Sequence, residues 1–298
     1  MSANAPAGSA GRSAKYAGGP VTGRPGIGNQ HGTVRSKRKE EDWTVFDALK
    51  QGLLREEFPA EIDHRKDEAD WNDIMWQGDT SSCVGWASTD SLLRWHFIKA
   101  NLLDKSLSLS ARFTWMAAKE TDKEVAFPET FIESAGTPLK AALNVLKKYG
   151  CVLEDDFPFY SSPQDGTTGL FMVRGMDTQE FYAKAAQYRL KSYYSLVIDE
   201  KPNIDHLRMW ISQQGPILVM SDLDANFREL YHGKTTLDTY DTSTVVVDRG
   251  HAFALVGYTP DHFIIRNTWG TAWGDKGYAY ATNAYVAAAI CEGYGICI

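Results

Sequence analysis

The order of its periodicities predicts an α+β fold in two lobes. In the first half, apolar residues recur at helical steps, as Leu139, Leu143 and Leu146 do. In the second half, short β-like runs take over at 189–198, 216–221, 244–247, 252–258, 262–267 and 278–281. Helices first and strands later fit segregated layers better than an alternating parallel sheet. At 298 residues and 43% hydrophobic, the chain is long and apolar enough for one large domain or two ordinary ones.

Taken in order, residues 1–42 are rich in Gly, Ala, Ser and Arg and carry almost no periodic apolar residues, which predicts a disordered basic tail. Its run RSKRK (35–39) reads as a sorting signal, a contact for an acidic partner, or simply a solvated tail. Residues 43–56 are weakly helical, with Val45, Leu49 and Leu53 on one face, and form a short arm or pro-segment. Phe58 to Arg65 is extended. Helices follow at 83–103, 108–118 and 138–149, the last ended by Gly150 as a C′ residue. Helical stretches at 177–188 and 204–214 lie among the strands. Residues 57–298 thus form the body, with 57–165 mainly helical and 166–298 mainly β; 234–248 is a polar insertion.

Net charge is −7 but unevenly spread. Residues 1–39 hold seven Lys/Arg and no Asp or Glu, leaving 24 cations against all 38 carboxylates beyond them, a net −14. An acidic body argues against nucleic acid as the partner. No apolar run reaches the ~18 residues of a membrane helix, and the N-terminus has no apolar signal run. With only four cysteines (Cys83, Cys151, Cys291, Cys297), the chain is no disulfide scaffold. A reducing, cytoplasmic location is expected, with non-classical export and a Cys291–Cys297 bridge left open. No cysteine–histidine cluster has zinc spacing, and no cofactor or metal is expected.

The chemistry-bearing residues divide between the halves. Ser81-Ser82 ahead of a helical pattern puts Cys83 at a helix N-terminus, where free amides and the dipole favour a thiolate. His251 follows Gly250 and starts an apolar strand, which would hold the imidazole rigidly toward the other lobe. His206, His232 and His262 lie in polar surroundings. Asn267, at a strand end, is suited to accept the imidazole N–H, and Trp269 to shield that bond from water. Trp273 reads as packing. Gln77, six residues before Cys83, can supply an oxyanion donor beside the Cys83 amide. The bland alternatives are a buried structural thiol, a satisfied core histidine, a turn-forming asparagine and a loop amide.

Together these residues resemble the papain-like cysteine peptidases, bacterial-type members in particular. The shared patterns are Gln77-Gly78-x4-Cys83 with Trp86-Ala87, Gly250-His251-Ala252 with Val256-Gly257-Tyr258, and Asn267-Thr268-Trp269-Gly270 with Trp273-Gly274. Supporting pieces are Phe58-Pro59 with Ile62 to Arg65, Gly136 to Leu143, Tyr149-Gly150-Cys151, Phe157-Pro158-Phe159 and Gln214 to Ile217. The resemblance covers about 57–298. It implies a helical left lobe, an antiparallel barrel-like right lobe and an active site in the cleft between them. It further implies a Cys83 acyl-enzyme with His251 as base and acid, Asn267 as orienter, Gln77 at the oxyanion, and Gly136, Thr137 and Gly250 binding substrate backbone. A peptide or protein would be the substrate, with control by a partner or by the N-terminal arm. Thr80 stands where the family has a disulfide cysteine, and Val84 where it has an aromatic. Transpeptidation or deamidation on the same triad, and a non-catalytic binding module, are the competing readings.

Overall fold

A computed structural model describes residues 32–66, 71, 73–78, 80–121, 136–159, 178–245 and 250–298. Most of the expected 1–42 tail (1–31), the first residue of the helix expected at 177–188 and part of the 234–248 insertion lie outside these residues. In chain order the elements are α1 (Val45–Lys50), β1 (Ile62–Asp63), α2 (Cys83–Ser88), a π-helical turn (Thr89–Leu93), α3 (Arg94–Lys99), α4 (Ala111–Thr121), α5 (Leu139–Lys148), α6 (Thr178–Ala185), β2 (Ser192–Ser195), β3 (Val197–Ile198), β4 (Lys201–Pro202), α7 (Ile204–Gln213), β5 (Ile217–Asp222), α8 (Ala225–Glu229), β6 (Thr236–Leu237), β7 (Gly250–Tyr258), β8 (His262–Arg266), β9 (Tyr278–Thr282), α9 (Asn283–Ala289) and β10 (Ile290–Cys297).

The main sheet runs β2-β10-β5-β7-β8-β9-β6, with β1 joined to β7. Its pairings are antiparallel except β6–β9. The fold is α+β: α2 to α5 pack on one face of an antiparallel-rich sheet, and α1, α7, α8 and α9 on the other. β7 is central and buried along its whole length, which explains its near-continuous apolar sequence. One core cluster joins α2 to α5 and their neighbours, through Leu92, Leu143 and Leu146, with the β7 residues Ala252, Ala254 and Val256. The other gathers Trp210, Phe227, Phe253 and Trp273 on the opposite face of β7. Alternation along one strand therefore separates the two cores.

The helix expected over 83–103 is helical from Cys83 to Lys99 and contains the π turn. Gly85 lets this helix approach α4 closely; a Cβ there would lie 2.5 Å from the Ala111 carbonyl oxygen and 2.6 Å from the Trp115 Cβ. Trp86 fills the space beside Phe159, with ring centroids 4.8 Å apart. Of the strand expected at 244–247, Thr244 lies in a 3₁₀ turn over Thr242–Thr244 in which Asp241 Oδ1 accepts the Ser243 amide, and 246–247 lie outside the described residues. All four cysteines are free, so the Cys291–Cys297 bridge is absent.

Residues 32–42 correct the expectation of a disordered tail. Their backbone and side chains are held by the body. Lys140 Nζ bonds the Lys37 carbonyl at 2.9 Å and Asp42 Oδ2 at 2.6 Å, and the Lys140 amide bonds Ser36 Oγ at 3.1 Å. α1 then begins with a capping box in which the Thr44 amide bonds Asp47 Oδ2 at 2.8 Å. The physical reason is that this segment is ordered by main-chain pairing and ion pairs, which hydrophobic periodicity does not report.

Candidate active site

Cys83 opens α2, and His251 lies on β7, against which the helix packs. Asn267 follows β8 directly. His251 Nε2 and Asn267 Oδ1 are 2.7 Å apart, and both residues are fully buried. The same Oδ1 accepts the Thr268 amide at 2.8 Å, which fixes the carboxamide with its oxygen toward the ring. Nε2 is thus engaged by Asn267, and Nδ1 is the other ring nitrogen. Trp269 covers the pair, its ring centroid 4.6 Å from that of His251, and Phe227 packs edge-on to both. Trp273 is buried and bonds the Phe227 carbonyl through Nε1 at 3.0 Å.

The Gln77 loop is tied to the Asn267 loop. The Gln77 amide bonds the Thr268 carbonyl at 2.9 Å, and Gln77 Oε1 accepts Thr268 Oγ1 at 2.7 Å. Gln77 Nε2 donates to the Thr80 carbonyl at 2.8 Å. Thr80 Oγ1 in turn donates to the Gln77 carbonyl at 2.6 Å and lies 2.6 Å from Ser82 Oγ. Hydrogen bonds from Thr80 thus fasten the loop ahead of Cys83.

Cys83 is closed off from solvent. Its Sγ lies 3.3 Å from Thr33 Oγ1. The Thr33 amide bonds the Gly250 carbonyl at 3.2 Å, the Thr137 amide bonds the Gly32 carbonyl at 2.8 Å, and the Val34 amide bonds the Thr137 carbonyl at 3.4 Å. Three tail residues therefore bridge the cleft, between the loop before α5 and the start of β7. Gly136, Thr137 and Gly250 are brought together around this extended segment; a Cβ on Gly136 would meet Val34 Cγ1 at 2.7 Å. Gly32 fits only because it has no Cβ, which would stand 2.0 Å from the Ser81 carbonyl oxygen.

The expectation of a favoured thiolate needs correction in this state. Burial pushes the Cys83 thiol up. The Thr33 hydroxyl and the amides of Ala252, Gly32 and Val84 pull it down without overcoming the desolvation. The helix terminus is present, but burial of the thiol outweighs it.

Three features escaped the motif reading. Thr33 gave no signal, being one hydroxyl in a polar segment. Arg35 lay in the basic run, yet its partners, Asp222 and Glu200, are far away in sequence. Arg266, just before Asn267, is fully buried and bonds Asp90 Oδ2 at 2.7 Å, Ser91 Oγ at 2.5 Å and the carbonyls of Trp71 and Asp73 at 3.0 Å each. It links the nucleophile helix to the asparagine strand. A charged residue inside an otherwise apolar strand was the available clue.

The profile of the papain family cysteine proteases matches residues 58–292. Mouse (Mus musculus) cathepsin F is 27% identical over 227 residues, 74% of this chain and 42% of its own length. The matches span well under half the length of the curated relatives. Among solved structures, xylellain, a cysteine protease from Xylella fastidiosa, superposes with a TM-score of 0.66 at 20% identity, covering 90% of this chain and 96% of that one. The procathepsin B S9 of Trypanosoma congolense gives a TM-score of 0.65 at 14% identity, covering 90% and 85%.

Proposed function

We propose that this chain, which belongs to the papain family of cysteine proteases, hydrolyses peptide bonds through Cys83 and holds itself inactive with residues 32–34. The observation that carries the first part is the 2.7 Å bond from His251 to Asn267, on a strand packed against the helix that Cys83 opens. His251 Nδ1 takes the thiol proton. The sulfur attacks the substrate carbonyl carbon, forming the C–S bond, and the oxyanion is met by the Cys83 amide and by Gln77 once its Nε2 turns from Thr80. The C–N bond breaks as His251 returns the proton to the leaving amine. Water, activated by the same imidazole, then cleaves the thioester. Asn267 keeps the ring aimed, and Trp269 keeps its bond dry.

The second part rests on what faces the sulfur. Thr33 presents a hydroxyl at 3.3 Å, and the Gly32 amide also faces the thiol. The tail is therefore a ligand held against the sulfur. It blocks the cleft and, by desolvation, keeps the thiol protonated.

Cys83→Ala is expected to abolish turnover of a peptide library while leaving the fold intact by circular dichroism. Product masses separate hydrolysis from transpeptidation and deamidation. Gln77→Ala is expected to slow turnover about 10²–10³-fold. Iodoacetamide should label Cys83 in Gly32→Ala far faster than in the native chain. The added methyl costs the tail about 1–3 kcal/mol, roughly tenfold or more in cleft opening. Equal labelling of the two proteins would refute self-inhibition.

A further inference from the structure

Beside the Cys83 site, the tail's Arg35 reaches into a group of carboxylates that the catalytic chemistry does not use. Its guanidinium bonds Asp222 Oδ2 at 2.8 Å and pairs with Glu200. Asp222 ends β5 opposite Gly250, the residue that pairs with Thr33, so this acidic site adjoins the catalytic cleft. Glu292, on β10, stands behind it. It is 9% exposed, its Oε2 accepts the Ser36 amide at 2.9 Å, and its Oε1 makes no hydrogen bond. Burial pushes its carboxyl pKa up, against the pull of Ser36. Cys291 lies in the common field of Arg35, Asp222, Glu292 and Glu200.

The backbone of the tail is already anchored without Arg35, by pairing with Thr137 and Gly250 and by Lys140. The arginine thus contributes recognition: it shows which side chain this part of the cleft accepts. When the tail leaves, Asp222 and Glu200 lose their cation, and Glu292 loses the Ser36 amide. Uncompensated carboxylates at a cleft wall favour a cationic replacement.

We infer that Asp222 and Glu200 select peptide substrates carrying an arginine near the scissile bond, in the place Arg35 now fills. This rests on the peptidase reading above. Arginine suits the site better than lysine because its planar fork can serve two carboxylates at once.

The test uses the full chain carrying Gly32→Ala, whose methyl clashes with the Ser81 carbonyl and opens the cleft, together with Arg35→Ala, which removes the competing side chain. Peptides are varied one position at a time over the three residues before the scissile bond, with Arg, Leu or Glu at each. At one position Arg is expected to exceed Leu in kcat/KM by about tenfold, with Glu slowest and the ratio shrinking in high salt. Asp222→Asn, near-isosteric, should bring the ratio within about twofold, and Glu200→Gln, on an exposed turn, should halve it or more. Calorimetric binding of the same peptides to that chain with Cys83→Ala added needs no chemistry and should rank them alike. Leu equal to or better than Arg at every position, or a preference untouched by Asp222→Asn, would overturn the inference. Failure of Cys83 to turn over any peptide would sink the peptidase reading, while the binding ranking still decides this one.

Discussion

Two arginine–carboxylate clusters flank the same cleft and behave as opposites. Around Asp90, the side chains of Arg266 and Arg94 are 0% and 6% exposed, and every polar partner lies inside the protein. Around Asp222, Arg35 is 46% exposed and Glu200 62%. The chemistry is identical, but the dielectric is not. Removing one partner from the interior strands a charge that water cannot reach. Removing one at the rim exchanges an ion pair for hydration at little cost. The interior cluster can therefore tie the Cys83 helix to the Asn267 strand permanently, while the rim cluster can release its arginine.

The largest expected effect breaks the interior side. Arg266→Met should destabilise the fold by about 3–5 kcal/mol in urea unfolding. Pairing it with Asp90→Leu should cost less than the sum of the two single changes, with a coupling of about 1–3 kcal/mol. A cost under 1 kcal/mol for Arg266→Met would erase the distinction between the clusters.

His96 sharpens the comparison from another direction. It is fully buried, its Nε2 makes no hydrogen bond, and desolvation pushes its pKa down to about 3, with His64 adding to the fall. The unfolded state therefore binds more protons than the folded state between the ordinary histidine pKa of about 6.5 and 3. Stability falls as pH drops through that window. His96→Phe should flatten this limb in the difference curve against the native protein. Glu154 works in reverse: burial raises it to about 8, so its contribution is lost as pH rises from the ordinary carboxylate range toward 8.

The smallest expected effect on stability is at the rim. Arg35→Ala should shift it by less than about 1 kcal/mol, while raising the rate at which iodoacetamide reaches Cys83. Half-molar salt should mimic the second effect and leave the Asp90 cluster unmoved.

The sequence disclosed much of this fold because its chemistry is written in continuous stretches. Strand β7 is apolar from Ala252 to Tyr258 and buried throughout, and α5 repeats leucines on one face. Strand β10 stayed hidden because Gly293 and Gly295 break its pattern. Gly295 is required there, since a Cβ would lie 1.9 Å from the Trp210 ring. The candidate site was legible where Cys83, His251 and Asn267 sit in patterned neighbourhoods. Thr33, Arg35 and Asp90 were illegible because their roles arise from partners brought near only by folding.

The π turn at Thr89–Leu93 carries a consequence for how this helix tolerates change in length. It holds one residue more than α-helical winding would, and it supplies both Asp90 and Ser91 to Arg266. Deleting a residue here would restore regular winding and leave Cys83 at the head of the helix. Everything after the deletion would keep nearly its present phase relative to Cys83, because the π turn winds its five residues through about the angle that four take in an α-helix. Arg94 and Trp95 would keep their neighbours. What the deletion would change is the local bulge from which Asp90 and Ser91 both reach Arg266, so the extra residue serves that ion pair and not the helix's phase.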